Sequence, residues 1–312
     1  MPSAAFRFRP ASAALLLALG LGATCCGTSV QAQGAWASGL DEQDALPGSA
    51  SALPAGVRRL PDVPYGPDAR QRIDVYLPAH PHPGRTPMLV FVHGGAWMAG
   101  DRVRAARLPA KLTHWVAERG WAMVSVGYRL VPRVTVADQL QDVAAALARA
   151  QRGAAGWGAD PDRVLLMGHS AGAHLAALLA AQPSAFRAMG VRRWRGTVLL
   201  DSAALDLPAV MAQRHWRFYD RVFGADPRDW QALSPADRLA PGASPMLLVC
   251  STVRPDAPCR DARRMAEAAQ TRGVRTEVLP QPLSHRDINA LLGLPGPYTE
   301  AVDRFAASLG LR

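Results

Sequence analysis

The 312-residue chain is 49% hydrophobic and 19% charged, the balance of a globular protein able to bury one large core. Its formal net charge of +10 comes almost wholly from arginines scattered along the chain. No basic run is interleaved with aromatic residues, so a solvated basic surface accounts for the charge and nucleic-acid binding is not expected.

At the N-terminus Arg7 and Arg9 precede a short apolar stretch, residues 11–23, and Val30-Gln31-Ala32 supplies an A-x-A-like pattern. A charged lead, a short apolar run and a small-residue site together read as a secretory signal peptide over residues 1–32. The apolar run is too short for a stable bilayer span, so no integral membrane anchor is expected after cleavage. Cys25 and Cys26 raise a lipidated N-terminus, but Gly22-Ala23-Thr24 fits such a site poorly. The expectation is soluble export, periplasmic or secreted, with residues 33–55 a flexible lead-in and residues 56–312 a single folded domain. Cleavage leaves Cys250 and Cys259. In an oxidising compartment two cysteines this close are expected to pair, the alternative being two unrelated thiols.

Strands and helices then alternate. Residues 72–77 alternate polar and apolar side chains, as an edge or antiparallel strand does. Residues 88–92 ("MLVFV") form a continuous apolar run, followed by His93-Gly94-Gly95-Ala96-Trp97. Glycines after a buried strand let backbone N–H groups face a cleft, where Gly94 and Gly95 would hold a developing oxyanion. A tight turn would need the same glycines. A helix over residues 105–119, a strand over 122–126 and a helix over 135–152 come next.

Residues 164–167 form another buried strand and residues 171–181 a helix, joined by Gly168-His169-Ser170-Ala171-Gly172. This sequence suits a strained turn that projects the Ser170 hydroxyl, with the Ala171 N–H as a further oxyanion donor. Taken alone it suits equally a small residue in a tight turn. A nucleophilic serine needs a base and an acid downstream.

After a strand over residues 197–200, residues 207–237 carry Trp216, Phe218, Tyr219, Phe223 and Trp230, which fits either a cap over the sheet or a long surface excursion. A strand over 246–249 leads into a loop whose carboxylate is Asp256, the candidate acid, with Asp206 in reserve. A helix over 259–272 and a strand over 275–279 precede His285, the candidate base, and a helix over 298–309 closes the chain. Continuous apolar strands between helices predict an α/β architecture: a mostly parallel central sheet with helices on both faces. Sites in such sheets form at the carboxyl ends of the strands. The cysteines are too few, and the histidines wrongly spaced, for a zinc site, so neither metal nor cofactor is expected.

His93-Gly-Gly-Ala-Trp97, Gly168-His-Ser-Ala-Gly172, Asp256 and His285, in that order, resemble the α/β-hydrolase fold. Within it they are similar to the HGG-motif esterase and lipase branch, near its feruloyl-esterase-like and kynurenine-formamidase-like members. Gly127-Tyr128-Arg129-Leu130, Asp142, residues 160–163 and residues 219–235 agree with that branch. One departure stands out: Cys250-Ser251 occupies the usual His-Gly position, and Arg254 stands near where an aspartate is usual. The resemblance implies a serine hydrolase acting on small-molecule carboxylic esters through an acyl-enzyme, with Ser170, His285 and Asp256 as its triad. An aryl formamidase or a catalytically silent binding protein are the alternatives.

Overall fold

The computed structural model describes residues 53–312, apart from 81–83, 104–108 and 203. The signal peptide, Cys25, Cys26 and nearly all of the lead-in lie outside the described residues. Among the described residues eight strands form one sheet: β1 (Val57–Pro64), β2 (Arg72–Pro78), β3 (Thr86–Val92), β4 (Ala122–Val126), β5 (Ala159–His169), β6 (Gly196–Leu200), β7 (Met246–Ser251) and β8 (Thr276–Gln281). Their order across the sheet is β1-β2-β4-β3-β5-β6-β7-β8. β2 runs antiparallel to β1 and β4, and every other pairing is parallel.

The continuous apolar runs are buried on both sides. Met88, Val90 and Val92 of β3 enter one core, while Leu89 and Phe91 enter the other. β5 repeats the division, with Val164 and Leu166 on one face and Leu165 and Met167 on the other. Each such side chain contributes roughly 1.5–3 kcal/mol on burial, which is why these strands occupy the centre of the sheet.

The helices are α1 (Pro109–Lys111, continuing with π geometry over Leu112–Glu118), α2 (Val136–Gly153), α3 (Ala171–Ala181), α4 (Leu207–Met211), α5 (Arg217–Phe223) and α6 (Pro227–Ala232). They are followed by α7 (Pro258–Gln270), α8 (His285–Ala290) and α9 (Pro297–Ser308). α2 starts where its sequence directs: Thr135 and Asp138 form a reciprocal capping box.

Sequence patterning does not anticipate β1. Its VRRLPDVP sequence lacks alternation and carries two prolines, which an edge strand tolerates. Buried Asp74 of β2 holds it instead, accepting from Arg59 at 2.7 Å and from the Asp62 N–H at 2.9 Å. β2 is accordingly antiparallel but lies inside the sheet.

Candidate active site

Ser170 stands at the tip of β5 with φ 55° and ψ −119°. Its bend depends on two glycines. A methyl group on Gly168 would lie 2.2 Å from the Gly172 carbonyl oxygen, and one on Gly172 would lie 2.2 Å from that of Val92. Helix α3 therefore starts almost in contact with strand β3, and its N-terminus points into the space above the sheet. The HGG turn lies against the elbow, since a methyl group on Gly94 would come within 2.9 Å of Ser170 Cβ.

That turn is held by its carbonyls and side chains. Tyr128 stacks on His93 at 4.3 Å and donates its hydroxyl to the His93 carbonyl at 2.8 Å. His93 Nδ1 donates to the Gly94 carbonyl at 2.7 Å, and the Met98 and Ala99 N–H groups donate to Gly95. Among the described residues, the N–H groups of Gly94, Gly95 and Ala171 make no hydrogen bond. Donors left open beside a serine are what a developing oxyanion requires.

His285 opens α8, capped by Ser284, whose side chain accepts from the Asp287 N–H. The far end of α8 is anchored from outside. Tyr298 donates to the Ile288 carbonyl at 2.9 Å, and buried Lys111, the only lysine in the chain, donates to the Asn289 carbonyl. His169 Nε2 donates to the His285 carbonyl at 3.0 Å, and the two imidazoles lie 4.5 Å apart. His285 thus sits directly over the residue that precedes Ser170.

The carboxylate facing this imidazole is Asp201. His285 Nδ1 donates to Asp201 Oδ2 at 2.6 Å, and Asp201 Oδ1 accepts the Ser251 N–H at 2.7 Å. Burial alone would raise the Asp201 carboxyl. The hydrogen bond from His285 and the Arg254 charge outweigh it and hold the group well below the usual carboxylate range.

The expectation for Asp256 is corrected accordingly. Asp256 is taken by Arg254, which donates to it through Nε at 2.9 Å and through Nη2. The loop after β7 presents Arg254, with Asp256 behind it, so the guanidinium occupies the space an acid from this loop would need. The reserve candidate Asp206 is also spent, as the N-cap of α4 accepting from the Ala209 N–H. Sequence reasoning passed over Asp201 even though it directly follows β6, at the kind of strand end where sites are expected. It pairs with the position of Ser170: His169 lies opposite Leu200 in the sheet, and both next residues have positive φ, 55° and 56°.

Cys250 and Cys259 are joined by a disulfide, with Cα atoms 5.0 Å apart. The bridge closes the loop that carries Arg254 and Asp256.

Residues 207–237 form α4–α6 and lay three of their aromatic side chains near Trp97 of the HGG turn. Phe223 lies 4.8 Å, Tyr219 5.8 Å and Phe218 6.4 Å from the Trp97 ring. His174 of α3 joins these parts, accepting from Trp97 Nε1 at 3.2 Å through Nδ1 and donating to the Leu233 carbonyl at 2.8 Å through Nε2. Complete burial disfavours its charged form and lowers its pKa to about 4. Among the described residues no group of three His, Cys, Asp or Glu side chains is placed to hold a metal ion, and no helix is long and apolar enough to cross a membrane.

A truncated carbohydrate esterase from gut microbiota superimposes with a TM-score of 0.71 over 85% of this chain and all of its own, at 17% identity. The chain has the α/β-hydrolase fold. Residues 73–189, which run from β2 past the elbow, match the BD-FAE family. The chain is similar to the rice probable isoprenylcysteine alpha-carbonyl methylesterase ICMEL1, at 39% identity over 37% of this chain and 26% of that protein. It is likewise similar to esterase LipQ of Mycobacterium tuberculosis, at 38% identity over 49% of this chain and 35% of that protein. The chain thus spans about a quarter to a third of the length of these curated relatives. In this α/β-hydrolase fold the HGG turn follows β3, Ser170 follows β5, and His285 meets Asp201, which follows the neighbouring strand β6.

Proposed function

We propose that this chain is an exported serine hydrolase that cleaves small-molecule carboxylic esters through an acyl-enzyme. The observation that carries the reading is the 2.6 Å pairing of His285 Nδ1 with Asp201 Oδ2, set beside Ser170 on the neighbouring strand tip. With its Nδ1 proton committed to Asp201, the neutral imidazole keeps Nε2 as a proton acceptor. Ser170 Oγ attacks the ester carbonyl carbon while its proton passes to His285 Nε2. The carbonyl electron pair moves onto oxygen, where the N–H groups of Gly94, Gly95 and Ala171 hold it. Collapse expels the alcohol, which takes the proton from His285. Water then repeats the sequence on the acyl-serine, releasing the acid and restoring Ser170.

Export rests on the N-terminal charge and hydropathy pattern, and the Cys250–Cys259 bridge suits an oxidising compartment. The relatives' names support an ester as the bond cleaved.

The direct test is labelling of the purified protein by a fluorophosphonate, together with hydrolysis of a p-nitrophenyl ester series. Wild type is expected to be labelled and active, while Ser170→Ala loses labelling and roughly 10⁴–10⁶ in kcat. A wild type that neither reacts nor turns over would overturn the assignment.

A further inference from the structure

Arg254 is the least expected residue of the site, a cation placed against the acid that holds the base. Its Nη1 donates to Asp201 Oδ2 at 2.7 Å and lies 2.9 Å from His285 Nδ1. These two nitrogens cannot be bonded to each other while Nδ1 carries its proton, because both are then donors. They converge because both donate to the same oxygen, Asp201 Oδ2. Nη1 also reaches the Asp201 main-chain carbonyl at 3.1 Å. The opposite edge of the guanidinium, Nε and Nη2, is taken by the two oxygens of Asp256.

Two consequences follow from this arrangement. The Asp201 carboxylate is pinned through both oxygens independently of the imidazole, Oδ1 by the Ser251 N–H and Oδ2 by Arg254. It cannot turn away when His285 moves or changes its protonation, so the ring meets an acceptor already in place. The charges also balance in sequence, because Asp256 offsets Arg254 and leaves the Asp201 charge for the imidazolium that forms during proton transfer. The Asp201 side chain is fully buried, whereas those of Arg254 and Asp256 are only 17% and 19% exposed, so this balance is struck where water screens little.

We infer that Arg254 and Asp256 are a positioning pair for the Asp201–His285 couple. Arg254 fixes the carboxylate oxygen that receives the imidazole, and Asp256 fixes Arg254. The loop that bears both is tied to β7 and α7 by the Cys250–Cys259 bridge, which holds the pair to the strand from which it reaches Asp201. Asp256 therefore belongs to the site through a guanidinium and not as the acid itself. This inference rests on the hydrolase reading for its kinetic consequence, but its geometric core does not need turnover.

The test uses Arg254→Met, Arg254→Lys and Asp256→Asn in the full chain, read by kinetics and by the proton NMR resonance of His285 Nδ1–H. That proton is expected far downfield in wild type because of its short bond to a buried carboxylate, and its assignment is made by its loss in Asp201→Asn. Arg254→Met is expected to lower kcat roughly tenfold to a hundredfold, the range for one lost charge-assisted hydrogen bond, with KM within about twofold. Asp256→Asn is expected to lose about tenfold or less, and Arg254→Lys to recover part of the Arg254→Met loss. In Arg254→Met and Asp256→Asn the downfield resonance moves upfield or broadens, while melting stays within a few degrees of wild type. Should Arg254→Met fail to fold, the two milder variants carry the test alone. Unchanged kcat and an unchanged resonance in folded variants would overturn the inference. A wild type without esterase turnover would defeat the hydrolase reading instead, and the resonance would still decide whether Arg254 positions Asp201.

Discussion

Ser170 and Asp201 leave neighbouring strands with almost the same backbone angle, φ 55° and 56°, yet their surroundings differ sharply. After Ser170 the chain turns at once into α3, so closely that Gly168 and Gly172 have no room for a Cβ. After Asp201 it runs through a longer connection to α4, with no glycine near the bend. The first tip is a backbone device whose constraint falls on its own neighbours. The second is a side-chain device, held by groups arriving from β7, its following loop and α8. Strain at a strand tip therefore leaves a local signature only where the next element packs hard against it.

The largest effect that can break this comparison is catalytic. Asp201→Asn is expected to lower kcat by about 10⁴, because the amide favours the wrong imidazole tautomer, whereas Asp256→Asn loses about tenfold or less. Comparable losses in the two variants, measured by ester hydrolysis, would return the acid role to the loop after β7.

The next effect sharpens the elbow side. Gly172→Ala sets a methyl group 2.2 Å from the Val92 carbonyl oxygen, and is expected to destabilise the fold by about 3 kcal/mol in denaturant melts. Gly156→Ala, at a glycine with nothing within 4 Å of the added Cβ, is expected to stay within about 0.5 kcal/mol.

A similar magnitude should appear with pH. His174 is held neutral in the fold with a pKa of about 4, below its ordinary 6.5. Between those values the unfolded chain binds more protons than the native one, so the stability contribution present above pH 6.5 is lost as pH falls toward 4. The loss is about 3 kcal/mol. Unfolding free energies of His174→Gln, which keeps a donor and an acceptor, should be flatter than wild type across this window.

The smallest effect concerns the loop behind Asp201. Replacing Cys250 and Cys259 together by serine is expected to cost about 2–3 kcal/mol, since the bridge closes only a short loop. Activity should fall as well, through looser placement of Arg254. Full retention of kcat would mean that the loop holds its shape by hydrogen bonds alone.

The legible parts of the fold are those whose constraint is local. Continuous apolar runs located β3 to β7, since a strand buried on both faces admits few polar residues. The helix over residues 171–181 has the same bounds in sequence and structure, set by the elbow at one end and a polar residue, Gln182, at the other. β1 escaped because its apolar residues, Val57, Leu60 and Val63, do not alternate as a strand pattern would, and much of what fixes it comes from Asp74 of its partner strand. α8 escaped because six residues carry too little periodicity. Ser170, the HGG turn and His285 carry local chemistry and chain order that single them out as candidates, whereas Asp201, the carboxylate that meets His285, has no such local mark.

By itself, the sequence determined the layered α/β architecture, the elbow and the turn beside it, because burial and close backbone contact restrict the residue types at each position. Only the tertiary structure decided which of three nearby aspartates meets His285. A carboxylate has the same composition wherever it stands, and its partner is set by which strand tip, loop and helix end converge. Here that convergence assigns Asp206 to a helix cap, Asp256 to Arg254 and Asp201 to the imidazole.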